Sequence, residues 1–125
     1  MNESASKEKK SLDVLWVDDD FIIAESARIL VESIGHKCTL VMSGYDALEH
    51  LKENKCDIVF TDIGMPEMNG WELAEAIQIK FEKKIKIIAV TGWDIDQKVK
   101  EEQSIDMVLQ KPFTLAKLKK LFLDL

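Results

Sequence analysis

Five residues from four separate stretches of the chain have the types that phosphate and metal chemistry need: Asp18, Asp19, Asp62, Thr91 and Lys111. Each ends or directly follows a short apolar run: "VLWV" before the first two, then "DIVFT", "IKIIAV" and "MVLQ". Three carboxylates suit a hard divalent cation. Mg2+ typically takes one or two of them, keeps waters and meets a phosphate. A hydroxyl and an ammonium suit phosphoryl oxygens, and one carboxylate of the set is a candidate nucleophile. Phosphoryl transfer depends mainly on positioning and charge neutralisation, which these parts supply. Taken singly, each residue also has a plain structural use, as a strand end, a turn former or a solvated lysine. The chemistry therefore depends on a fold that gathers them.

The elements follow from periodicity. "LDVLWV", "CTLVM", "DIVFT", "IKIIAV" and "MVLQ" read as five buried strands. Ile23, Ala27, Leu30 and Ile34 recur at helical spacing, and Gly35 stops that helix. Asp20 stands at its start and is expected to cap it. Ser43 and Gly44 lead into a helix with Ala47, Leu48 and Leu51 on one face. After the loop "IGMPEMNG", Leu73, Ala74, Ile77 and Phe81 face inward on a third. The segment "DIDQKVKEEQS" offers only Ile95 and Val99, which predicts a shallowly docked fourth helix. Thr114 is expected to cap the last, with Leu115, Leu118, Leu121, Phe122 and Leu125 on one side.

The alternation βαβαβαβαβα implies an α/β fold, a doubly wound five-stranded parallel sheet with five helices. With the flavodoxin-like order 2-1-3-4-5, strands one and three adjoin, and ligands bind beyond the carboxyl ends of the strands. Three carboxylates would then share one crevice. Two unit charges about 4 Å apart at an effective dielectric near 20 cost roughly 4 kcal/mol. Three such pairs would rival the stability of a whole domain. Lys111 supplies one positive charge against three negative ones, so a divalent cation fits better.

Composition narrows the function classes. The chain has 125 residues, 46% hydrophobic and 32% charged, with a net charge of −6 and a pI near 4.9. This fits one domain and argues against direct nucleic-acid binding, which calls for a basic face. No apolar run approaches a membrane span, and the polar stretch "MNESASKEKKS" lacks the core of a signal peptide. A flexible arm over residues 1–10, a domain over 11–125 and a cytoplasmic location are expected. Cys38 and Cys56 lack metal-site spacing. They stand near the starts of strands flanking a third, too far apart for a disulfide, and read as reduced and structural. His36 and His50 read as surface residues. Trp71 and Phe113 read as half-buried anchors, and Met65 and Met68 as loop and core packing. Lys117, Lys119 and Lys120 form a solvated face or a contact for an acidic partner.

The segments "VLWVDDD", "TDIGMPEMNG", "AVTGW" and "QKPF" together resemble the signature of the receiver domain of two-component response regulators. The resemblance runs from about residue 12 to 125. It implies that Asp62 is the phosphoacceptor, attacking a phosphohistidine on a sensor histidine kinase or phosphotransfer protein. It implies that Asp19 binds Mg2+ directly, Asp18 through water, and that the Gly64 carbonyl is a backbone ligand. Thr91 and Lys111 would contact phosphoryl oxygens, and the Lys111–Pro112 bond would be cis. Such a domain catalyses only its own phosphorylation and dephosphorylation and passes the signal to a downstream protein target. It is either a stand-alone regulator or a segment of a hybrid histidine kinase. Val108 stands where the family often has a switching aromatic, and "EEQSID" lacks the usual Gly-Ala turn. Trp93 is expected to border the site. Two other readings stay open: a phosphorylation-independent pseudo-receiver, and a Mg2+-dependent phosphotransfer enzyme acting on small molecules.

Overall fold

The computed structural model describes residues 11–81, 84–93, 95–96, 99–100 and 103–125. The expected arm over residues 1–10 lies outside them. Five strands form one parallel sheet in the order β2-β1-β3-β4-β5, as expected. They are β1 (Asp13–Val17), β2 (Lys37–Val41), β3 (Ile58–Asp62), β4 (Lys86–Thr91) and β5 (Met107–Gln110). Four helices are delimited among the described residues: α1 (Phe21–Ile34), α2 (Gly44–Glu53), α3 (Gly70–Phe81) and α4 (Leu115–Leu123). Five were expected. The other was expected between β4 and β5, where residues 94, 97–98 and 101–102 lie outside the described residues. Val99 and Lys100 are helical there, and the Lys100 N–H donates to the Asp96 carbonyl at 3.1 Å. No helix among the described residues is long and apolar enough to cross a membrane.

The strands are almost continuously apolar because both sheet faces are covered. Successive side chains point to opposite faces, so each strand feeds two cores. Leu15, Val17, Val59, Ile87 and Ala89 pack with Leu48, Leu73 and Ile77 on one side. Val14, Trp16, Phe60, Ile88 and Val90 pack with Ala27, Val31 and Leu118 on the other. On that second face Trp16 stacks on Phe60, with ring centroids 4.6 Å apart.

The helix ends follow local chemistry. The Asp20 carboxylate accepts from Ile22 N (3.0 Å) and Ile23 N (3.2 Å) and caps α1. Gly35, at φ 112°, closes α1 in the left-handed region that a side chain would disfavour. Ser43 caps α2 and Thr114 caps α4. Asn69 and Glu72 cap α3 reciprocally, each accepting at 2.9 Å from the other's backbone N–H.

Two expectations are corrected. His36 is not a surface residue: it is 6% exposed, its Nδ1 accepts from Leu12 N at 3.1 Å, and its ring lies 4.4 Å from that of Phe122. The turn after α1 is folded under α4, which a reading of turn propensity misses. Leu115 and Leu125 do not join the inward face of α4, being 36% and 39% exposed. Only Leu118, Leu121 and Phe122 are buried there, because a nine-residue helix docks along little more than two turns. Cys38 and Cys56 are free and half-buried. Burial pushes both thiols up to about 12, which leaves them protonated and unreactive.

Candidate functional site

The register of the parallel sheet assembles the site. Val17 lies opposite Thr61, so Asp18 leaves β1 level with Asp62 at the end of β3. Asp62 lies opposite Val90, one residue before Thr91. Thr91 lies opposite Gln110, one residue before Lys111. Five side chains from four strands thus converge on one edge, although 93 positions separate Asp18 from Lys111 in the chain. The Lys111 N–H extends the β4–β5 ladder by donating to the Thr91 carbonyl at 2.8 Å.

Asp18, Asp19 and Asp62 each present a carboxylate oxygen, and these oxygens lie within 4.8 Å of one another. Asp18 is 1% exposed. Its Oδ1 accepts from Asp20 N at 2.9 Å, while its Oδ2 is buried without a hydrogen-bond partner. Burial raises its pKa above the usual carboxylate value; the Asp20 N–H opposes that rise, and the Asp62 charge adds to it. With these oxygens no more than 4.8 Å apart, the Asp18–Asp62 repulsion is about 3.5 kcal/mol or more at an effective dielectric near 20. Among the described residues Asp62 meets one cation, the Lys111 ammonium, 3.2 Å from its Oδ1.

An orphaned buried acceptor inside an oxygen-only donor set is what a hard cation such as Mg2+ would satisfy. Nitrogen and sulfur ligands are absent from that set. The residues present therefore fit the group that the sequence implied. Gly64 lines the same cleft as Asp62, Thr91 and Lys111.

Thr91 is 3% exposed. Its hydroxyl oxygen accepts from Trp93 N at 3.1 Å, which orients the hydroxyl and leaves its hydrogen to donate into the cleft. Trp93 borders that cleft as expected and is 66% exposed. The Lys111–Pro112 peptide is cis. The Asp20 carboxylate is not one of the acidic trio and caps α1. Val108 is half-buried against the core that contains Leu15, Val59 and Ala89.

Two features escaped sequence reasoning. Beside Lys111 runs an apolar groove, walled by Ile22, Ile23 and Leu30 of α1 and by Pro112 and Phe113. Ile22 was legible as apolar but fell outside the inward-facing stripe. The other is Gly70, read from sequence only as loop punctuation. A Cβ there would lie 2.4 Å from the Asp62 carbonyl oxygen. The Asn69-x-x-Glu72 spacing was the available signal for where α3 begins.

Comparison with known proteins agrees with this geometry. The family model described as "Response regulator receiver domain" matches residues 14–123. The sensor histidine kinase RcsC of Salmonella typhi is 32% identical over 108 residues, covering 85% of this chain and 11% of that protein. The transcriptional regulatory protein CrdR of Helicobacter pylori is 26% identical over 117 residues, covering 89% of this chain and 55% of that protein. A solved response regulator receiver domain (CheY-like) from Methylobacillus flagellatus superimposes with a TM-score of 0.83 at 30% identity, covering 92% of this chain and 98% of that one. The chain thus spans about a tenth of the length of the first relative and about half of the second.

Proposed function

Since this chain belongs to the response regulator receiver domain family of two-component systems, we propose that it accepts a phosphoryl group on Asp62 and relays the change to a protein partner. The observation that supports this most directly is the pairing of Lys111 with Asp62 at 3.2 Å, beside the unpartnered Asp18 Oδ2. An oxygen of the Asp62 carboxylate attacks phosphorus in line. The bond from phosphorus to the donor imidazole nitrogen breaks, and its electron pair leaves with the imidazole. Lys111 exchanges its contact with the carboxylate for one with a phosphoryl oxygen, and the Thr91 hydroxyl donates to another. Asp18, Asp19, Asp62 and the Gly64 carbonyl would hold Mg2+, which supplies neutralisation of the charge on the phosphoryl group.

The donor is a histidine on a sensor kinase or phosphotransfer protein. The apolar groove beside Lys111 suits the face of a helix that carries such a histidine, and its wall residue Ile22 is 76% exposed. Added charge at Asp62 then biases the loops around Thr91 and Lys111 toward a second arrangement that a downstream partner reads. We also propose a cytoplasmic location, a compartment that keeps Cys38 and Cys56 reduced.

The test is direct. The protein is incubated with Mg2+ and a small phosphodonor, and an acid-stable, base-labile phosphate is sought by intact mass. Labelling that disappears in Asp62→Asn is the expected result. No labelling of the wild type would instead favour a phosphorylation-independent interaction module. Steady turnover of varied phosphate esters would favour a small-molecule phosphotransferase.

A further inference from the structure

The segment joining β3 to α3, residues 63–69, lies against two glycines from different elements. At Gly70, an added Cβ would meet the Asp62 carbonyl oxygen at 2.4 Å and Ile63 Cα at 2.9 Å. Both are main-chain atoms, so neither can turn aside as a flexible side chain does. Any side chain at position 70 must therefore displace the start of α3 or the end of β3. The start of α3 is well anchored: Asn69 and Glu72 cap each other, and Leu73 and Ala74 are fully buried. The end of β3 is Asp62 itself. The same contact is also tied by a hydrogen bond, Gly70 N to the Ile63 carbonyl at 2.8 Å. At the far side of the segment, a Cβ on Gly44, the first residue of α2, would meet Met68 Sδ at 2.5 Å and Cγ at 3.0 Å.

We infer that Gly70, supported by the Met68–Gly44 contact, is a positioning residue for the phosphoacceptor. It lets α3 press on the main chain of Asp62 and so sets where that carboxylate stands relative to Asp18, Asp19 and Lys111. The inference rests on the reading of Asp62 as the acceptor. It extends that reading to a residue that touches neither the phosphoryl group nor the cation. Misplacing a reacting group by about 1 Å can cost on the order of 100-fold in rate. The main-chain shift that a methyl at Gly70 forces is of that order, since a 2.4 Å approach must open to ordinary contact.

The experiment compares the full chain with Gly70→Ala and with Ile77→Ala. The second variant removes a buried side chain two turns along α3, away from Asp62, and reports simple loss of stability. Melting temperature, Mg2+ affinity by calorimetry and the initial rate of labelling by acetyl phosphate at saturating Mg2+ are measured for each. Gly70→Ala is expected to lose at least tenfold in labelling rate and several-fold in Mg2+ affinity. Ile77→Ala, although it melts lower, should keep both within twofold. Gly70→Ala within twofold of wild type, or Ile77→Ala falling as far, overturns the inference.

Should Gly70→Ala fail to fold, Gly44→Ala decides. Its labelling rate should fall, and adding Met68→Ala should restore it to that of Met68→Ala alone; no recovery overturns the inference. A wild type that binds Mg2+ but takes no phosphoryl group overturns the acceptor reading, and the Mg2+ affinities then decide the role of Gly70. A wild type that does neither overturns both.

Discussion

Replacing Asp18 with Asn should make the metal-free protein more stable while removing the benefit of Mg2+. Asn is nearly the same size, and its Oδ1 can still accept from Asp20 N, now at 2.9 Å from the Asp18 carboxylate. The change removes a buried charge whose Oδ2 has no partner, and it places amide donors near the Asp19 and Asp62 carboxylates. With their oxygens no more than 4.8 Å apart, the Asp18–Asp62 repulsion is about 3.5 kcal/mol or more at an effective dielectric near 20. Lys111 offsets part of it, so the expected gain is about 1–3 kcal/mol, each kcal/mol being worth roughly 3–6 °C for a domain of this size.

The gain has a definite pH dependence. The folded-state pKa of Asp18 is raised, mainly by burial. A raised carboxyl contributes its stability fully below the unfolded value of 3.8 and loses it as pH rises through the folded value. The advantage of Asp18→Asn should thus be full at neutral pH and shrink as pH falls through that raised pKa. The assay is urea unfolding of both proteins at several pH values, in chelator and in millimolar Mg2+. A variant less stable than wild type in chelator, or one that Mg2+ stabilises as much as wild type, would refute the argument.

Three other outcomes follow from the same geometry. Trp93 is 66% exposed at the border of the cleft, where its indole can screen an acyl phosphate on Asp62 from water. Trp93→Ala should shorten the phosphorylated lifetime severalfold, measured by loss of label after removal of the phosphodonor, and an unchanged lifetime would exclude a screening role. Asp20→Asn should leave Mg2+ affinity nearly intact and cost little stability, since Asn caps helices about as well as Asp. Asp19→Asn should weaken Mg2+ binding by at least tenfold in the same calorimetric titration; equal losses in the two variants would mean that "DDD" acts as one cluster.

Much of this protein was legible because its information is local. Strand ends announce themselves where "VLWV", "DIVFT" and "MVLQ" run into Asp18, Asp62 and Lys111. Alternating strands and helices left few topologies, and in the observed order every such end falls on one edge. The role of Asp20 as a cap also came from local pattern, because an N-cap is a contact of two or three residues' span. Val108 could be singled out by the family resemblance and Trp93 by its place after Thr91, although what they touch could not.

What the sequence by itself determined, then, was the element order, the residue types at the strand ends and the helix starts. Only the tertiary structure decided the contacts between residues that the chain separates widely. It tucked His36 against Phe122, 86 positions away. It left Leu115 and Leu125 exposed when helical spacing alone would have packed them inward. It stranded Asp18 Oδ2 without a partner and set Gly70 against the Asp62 carbonyl. Hydrophobic periodicity records which face of an element is apolar, but not how far the neighbouring element extends over it. Turn chemistry records that a glycine suits a loop, but not that another main chain approaches within a methyl's width. Those quantities arise from packing at a density that leaves few voids, and they exist only once the sheet has brought its edges together.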